Sequence, residues 1–347
     1  MKRLLIFFSI LACLTQAFGQ RTDLFDFESD MRLYTAYAFI NACGYDFDYG
    51  DKHYIRVQTR KHIDSVLFVE FKQQIKQFYK KTGLDWTECA EYAVNLSTDG
   101  EFNWQCDTCN IGLKDKYLGL DSLYRLFYQS ANIDSLFKIY KPIMDSINYS
   151  YKPFSIIAIN HIIDFLKVND DYYNNYPKGL YYSKMPLMSN FTGFTFTSNG
   201  TLYMIYGPPM GNPGPDSYYH EAIHPAIGTF IDENAEKIYE YSELNEIARK
   251  QLHGNYNDTK ELFEESCVRA IDKYLTGKYY KKTDEEILKT VEQEYKLGYI
   301  FTLYIYEELS EYEKSNMTFK EYLPILITGI DLNKEKFRYN EFWTKNE

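Results

Sequence analysis

Histidine, tryptophan, cysteine and long apolar runs are all scarce in this chain, and each shortage narrows what it can be. Among 347 residues there are 6 His, 3 Trp and 6 Cys, so any close grouping of histidines carries weight. After the opening segment no stretch reaches eighteen uninterrupted apolar residues, so no stable membrane span is expected and the mature protein should be soluble. Basic residues are outnumbered, 38 Lys and Arg against 49 Asp and Glu, for a net charge of −11. An acidic surface repels phosphate backbones, which argues against a nucleic-acid partner. There is no repeat period and no low-complexity linker. The 35 Tyr and 24 Phe instead suit a packed globular chain, because a tyrosine ring packs while its hydroxyl keeps a polar partner.

The opening residues MKRLLIFFSILACLTQAFGQ have the layout of a secretory signal peptide. Lys2 and Arg3 supply the positive region, Leu4 to Leu14 a short apolar core, and Ala17-Phe18-Gly19 small residues at a cleavage site. Cleavage is expected after Gly19, giving a secreted or periplasmic protein that begins at Gln20. The alternative is a lipoprotein anchored through Cys13. An oxidising compartment favours disulfides among Cys43, Cys89, Cys106 and Cys109, whose pairing the sequence cannot choose. Cys267 reads as a buried free thiol.

Apolar residues recur at helical spacing over 29–43, 61–80, 86–95, 119–129 and 133–167. In 61–80 the stripe runs through Ile63, Leu67, Phe68, Phe71, Ile75 and Phe78. Near residue 190 the texture changes. NFTGFTFTSNGTLYMIYG alternates around Ser198-Asn199-Gly200, which predicts a hairpin of two short strands. A Gly- and Pro-rich loop over 207–215 leads into a helix that contains YYHEAIHPAI, and further helices are expected over 234–252, 258–277, 284–314 and 319–328. The expected class is α+β, mostly helical. The expected regions are a signal peptide at 1–19, a helical region of unknown role at 20–190 and a catalytic region at 191–347.

His220-Glu221-Ala222-Ile223-His224 is an HExxH. On a helix, positions i and i+4 lie one above the other, so both imidazoles reach one ion at about 2.0–2.1 Å. Glu221 is rotated about 100° from His220 and stands beside the ion. Zinc lowers the pKa of a water toward ~7, and a carboxylate in that place receives its proton as general base. Pro225 follows the motif directly, which predicts a kink after His224. A catalytic zinc takes three protein ligands and leaves a position for water. Asp232 is one source of the third. The helix TKELFEESCVRAI is a better one, with Glu261, Glu264 and Glu265.

An HExxH followed some forty residues later by a helical glutamate resembles the gluzincin clan of zinc peptidases. YYHEAIHPAIGTF with EESCVRAI is also similar to a group of secreted bacterial proteins known only as a domain of unknown function with a peptidase-like core. The resemblance covers 195–275 best. It implies a zincin-like core in which a hairpin edge strand precedes the HExxH helix. In gluzincins the ligand glutamate often has a polar support four positions on, and Glu265 with Arg269 matches that spacing. Helical periodicity votes otherwise: it puts Glu264 near the margin of the apolar face and makes Glu265 with Arg269 a solvated i,i+4 pair. We take Glu265 as the third ligand, with Glu264 as its rival. The resemblance further implies an oxyanion donor from a Tyr or His, for which His253, Tyr256, Tyr295, Tyr299 and Tyr304 are candidates, whereas His53, His62 and His161 read as structural. The expected function is zinc-dependent hydrolysis of peptide bonds, with Zn2+ on His220, His224 and Glu265 and with Glu221 as base. The alternative is a non-catalytic binding protein of the same shape for peptide or glycan.

Overall fold

Where a polar N-cap precedes an apolar stripe and a glycine follows it, the chain folds as the pattern requires. In the computed structural model, which describes residues 24–45, 52–105, 110–168, 172, 174–190, 192–208, 216–249, 252 and 256–346, helix α1 (Met31–Cys43) is the first example. Asp30 accepts the backbone N–H of Arg32, and Gly44 closes the helix at φ 104°. Around α1 pack α2 (Tyr54–Val66), α3 (Val69–Thr82), α4 (Glu88–Val94) and, after α5 (Ile111–Lys116), which lies against α4, α6 (Leu120–Ser130). The stripe expected over 61–80 is broken between α2 and α3. Leu67 and Phe68 are extended there, Leu67 is buried and Phe68 is 76% exposed, so Phe68 is not the core residue its spacing suggested. Helix α7 (Ile133–Leu166) runs through Pro142 and Pro153.

The chain divides into two compact units. The first holds residues up to Pro153 together with Asn175–Asn212, and the second holds Phe154–Asn174 with Pro213–Glu347. This partition does not follow a boundary at residue 190, because the expected hairpin packs within the first unit. That unit carries a four-stranded sheet of β1 (Phe25–Asp26), β2 (Gly179–Lys184), β3 (Gly193–Ser198) and β4 (Thr201–Tyr206), in the order β1-β2-β4-β3. β3 and β4 form the expected antiparallel hairpin, with Asn199 and Gly200 both at positive φ, as a tight two-residue turn requires. β2 pairs parallel to β4 and to β1. It went unread in the sequence because all six of its residues are buried, which removes the alternation that marks a half-exposed strand. Cys43 and Cys89 are buried free thiols, against the expectation of disulfides there. Cys106 and Cys109 lie outside the described residues, as do residues 1–23 with the signal peptide and Cys13.

The second unit is helical. It comprises the end of α7, α8 (Asp216–Glu233), α9 (Ala235–Tyr239), α10 (Ser242–Ala248), α11 (Thr259–Tyr280), α12 (Asp284–Lys296), α13 (Thr302–Lys314), α14 (Phe319–Thr328) and α15 (Leu332–Asn346). The helix expected over 284–314 is two, divided where Gly298 takes φ 97°. That expected over 234–252 is two shorter ones, and α15 was not expected. The class is α+β and mostly helical, as expected. Among the described residues no helix is long and apolar enough to cross a membrane.

Gly179 opens β2 at φ 99°, and a Cβ there would lie 2.4 Å from the carbonyl oxygen of Leu24. Gly179→Ala is therefore expected to destabilise the first unit by about 1–3 kcal/mol. Denaturant unfolding followed by circular dichroism measures this, and an unchanged midpoint would contradict it.

Candidate metal centre

Two helices build the site. α8 carries the HExxH and packs most extensively against α11, which carries the glutamates. α8 stays helical through Pro225, so no break follows His224. Position 225 nevertheless has no N–H to give the carbonyl of Glu221. The start of α8 is anchored by its tyrosines. Tyr219 is fully buried and its hydroxyl lies 2.7 Å from His161 Nδ1, while Tyr218 stacks on Phe154. α11 begins at Asp258, whose carboxylate accepts from the N–H groups of Lys260 and Glu261.

The fold brings His220, His224 and Glu265 together as a group of side chains that can hold a metal ion. His220 Nε2 is 3.5 Å from Glu265 Oε1, and His224 Nε2 is 3.4 Å from Glu265 Oε2. The two imidazole rings stand 5.3 Å apart at 75°. One ligand atom from each residue lies within 4.8 Å of the other two, close enough for the three to hold one metal ion. Two nitrogens and a carboxylate oxygen also form a donor set that such an ion accepts.

Glu265 is 2% exposed. The solvated i,i+4 pair suggested by periodicity is thus corrected. α11 is buried on almost every side, so an apolar stripe does not mark its inner face. Burial alone would raise the Glu265 carboxyl, but His220, His224 and Arg269 outweigh it and hold the group well below the usual carboxylate range. Arg269 Nε and Nη2 both lie 2.7 Å from Glu265 Oε1, and Nη1 lies 2.5 Å from Glu294 Oε2. The guanidinium also sits 3.8 Å from the centre of the Tyr299 ring, a cation–π contact. Lys273 completes a partly buried row of alternating charge, reaching Asp272 at 3.2 Å and Glu294 at 3.6 Å. Glu294 lies on α12, so no local spacing in the sequence pointed to it.

The two histidines differ. Burial, reinforced by the neighbouring charges of Arg269 and Lys273, lowers His220 to about 3, with Glu265 opposing. Burial also pulls His224 down, but hydrogen bonds to Glu264 and Glu265 win and push it up to about 10. Glu264 Oε1 is 2.9 Å from Nδ1 of His224, on the opposite edge of the ring from Glu265. Glu264 thus touches the site without joining the metal-holding group. Asp232 does not join it either, being 64% exposed and paired with Lys260, and Glu261 is exposed in the first turn of α11.

Among the candidate donors, Tyr304 gives its hydroxyl to the Leu326 carbonyl, and Tyr295 packs edge-on against Tyr339 and Phe342. Tyr256 is the one whose phenol feels both Glu265 and Glu221; burial first, then these carboxylates, keep it protonated. Its ring meets that of Tyr299 at 5.9 Å. His253 lies outside the described residues. His53 caps α2 by accepting from Ile55 N–H, His62 Nε2 lies 3.0 Å from the Ala131 carbonyl oxygen, and His161 stacks on Tyr279, all contacts of a structural kind.

Removing Arg269 would strand one buried carboxylate, Glu265, and one half-buried one, Glu294. Breaking such a pair costs about 3–5 kcal/mol when fully buried, and the 21% exposure of the Arg269 side chain puts Arg269→Ala near the lower end. Denaturant unfolding of the metal-free protein reads this, and a loss below about 1 kcal/mol, the range of an exposed pair, would contradict the role.

Residues 215–328, which include α8, α11 and all three grouped side chains, match the profile of a domain of unknown function (DUF4932). No curated protein and no solved structure matches the chain.

Proposed function

We propose that the chain is a secreted or periplasmic zinc-dependent hydrolase that cleaves peptide bonds. The observation that carries this reading is the convergence of His220, His224 and Glu265 at ligand-to-ligand distances, with Glu221 on the same helix turn. The gluzincin-like order of HExxH and glutamate supports it from the sequence. Zinc on these three residues would polarise the scissile carbonyl and acidify the attacking water. Glu221 receives the proton of that water and returns it to the leaving amine as the C–N bond breaks. The charge of Glu221 acts on both His224 and Tyr256, which supports this reading. Tyr256 donates its phenolic hydrogen bond to the oxyanion that develops on the carbonyl. Arg269 and Glu294 hold the Glu265 carboxylate in place and take no part in the proton transfers.

The mature chain from Gln20 is expected to bind one zinc ion, and His224→Ala or Glu265→Ala to lose it, as metal analysis after dialysis would read. On a library of fluorogenic peptides, Glu221→Gln is expected to keep the zinc and lose about 10²–10⁴-fold in kcat. Tyr256→Phe is expected to keep the zinc and lose about 10²–10³-fold in kcat. Absence of zinc after reconstitution of the folded chain overturns the hydrolase reading. Stoichiometric zinc with no peptide cleavage, and identical peptide binding by wild type and Glu221→Gln, would favour the binding-protein alternative.

A further inference from the structure

We infer that Glu264 is a positioning residue of the metal centre, holding the Nδ1–H of His224 so that Nε2 is committed to the ion. This rests on the metal-site reading above and goes beyond it, since Glu264 enters there only as a rival for the third ligand. Glu264 and Glu265 are consecutive on α11, about 100° apart around the helix. They grip one imidazole from opposite edges: Glu264 Oε1 is 2.9 Å from Nδ1, and Glu265 Oε2 is 3.4 Å from Nε2. A neutral imidazole has one donor nitrogen and one acceptor. A carboxylate at hydrogen-bond distance from Nδ1 fixes the hydrogen there, so Nε2, on the side of His220 and Glu265, is the nitrogen that would give up its proton and bind an ion.

Burial separates the two carboxylates by task. The Glu265 side chain is 3% exposed, as suits a group enclosed with the ion, and that of Glu264 is 23% exposed, as suits an outer partner. Gly228, one turn after His224 on α8, faces the same carboxylate, with Glu264 Oε1 3.8 Å from where a Cβ would stand. His220 meets Glu265 through Nε2, so the carboxylate grip on Nδ1 is particular to His224 among the described residues.

The test is zinc affinity, by competition with a chromophoric chelator, for wild type, Glu264→Ala and Glu264→Gln, beside the absorption spectrum of the cobalt-substituted proteins. Glu264→Ala is expected to bind one zinc about 10–100-fold more weakly and to shift the cobalt bands. Glu264→Gln is expected to fall between, because its amide oxygen still accepts from Nδ1–H. The glutamine side chain keeps the shape of the glutamate, and circular dichroism of the metal-free proteins confirms folding. Wild-type affinity and spectrum in both variants would overturn the inference while leaving the metal site standing. Complete loss of zinc in Glu264→Ala with retention in Glu265→Ala would overturn it in favour of Glu264 as ligand. A folded wild type that takes up no zinc would overturn this inference and the hydrolase reading together.

Discussion

The second unit is organised around one buried carboxylate. Glu265 sits almost without solvent between two imidazoles and a guanidinium, and a charge in that place is tolerable only while those partners surround it. α8 must present His220 and His224 on the face that meets α11. α12 must bring Glu294 to the far side of Arg269. Tyr299, just after α12, must lay its ring under the guanidinium. The electrostatics of one side chain therefore specify the relative setting of three segments that are distant in the sequence.

The same arrangement separates the roles of groups that are chemically alike. Four glutamates, 221, 264, 265 and 294, lie near the centre, and their surroundings distinguish them. Glu265 is enclosed and faces both Nε2 atoms. Glu264 meets an outer ring nitrogen. Glu294 is neutralised by Arg269. Glu221 lies on the same helix as the histidines, and its charge acts on His224 and Tyr256. Only the first shares the compact donor group with the histidines.

Much of this was legible in the sequence, for identifiable reasons. The HExxH spacing is local, so the helix geometry of His220, Glu221 and His224 follows from residue identity and period alone. The Asn199-Gly200 hairpin and the helix at Phe319–Thr328 were legible for the same reason, and in the structure a Thr318 and Glu321 capping box starts the latter. The misses share a cause too. β2 and α11 are buried on more than one side, so the polar and apolar contrast on which periodicity depends is absent. Helical spacing across Leu67-Phe68 and across Gly298 concealed breaks because apolar residues happened to continue the count. The partnership of Arg269 with Glu294 joins residues 25 apart on separate helices and leaves no spacing to read.

α8 and α11 meet through a long shared interface, and it is folding that gathers the donor atoms. In the unfolded chain His224 and Glu265 are 41 residues apart and present no common site. An ion with affinity for the gathered set alone lends its binding free energy to the fold, by RT ln(1 + [L]/Kd), and that contribution rises with metal concentration. The resistance of this unit to unfolding would then follow the free metal level around it, and depletion of metal would loosen the α8–α11 pairing in the same equilibrium that empties the site.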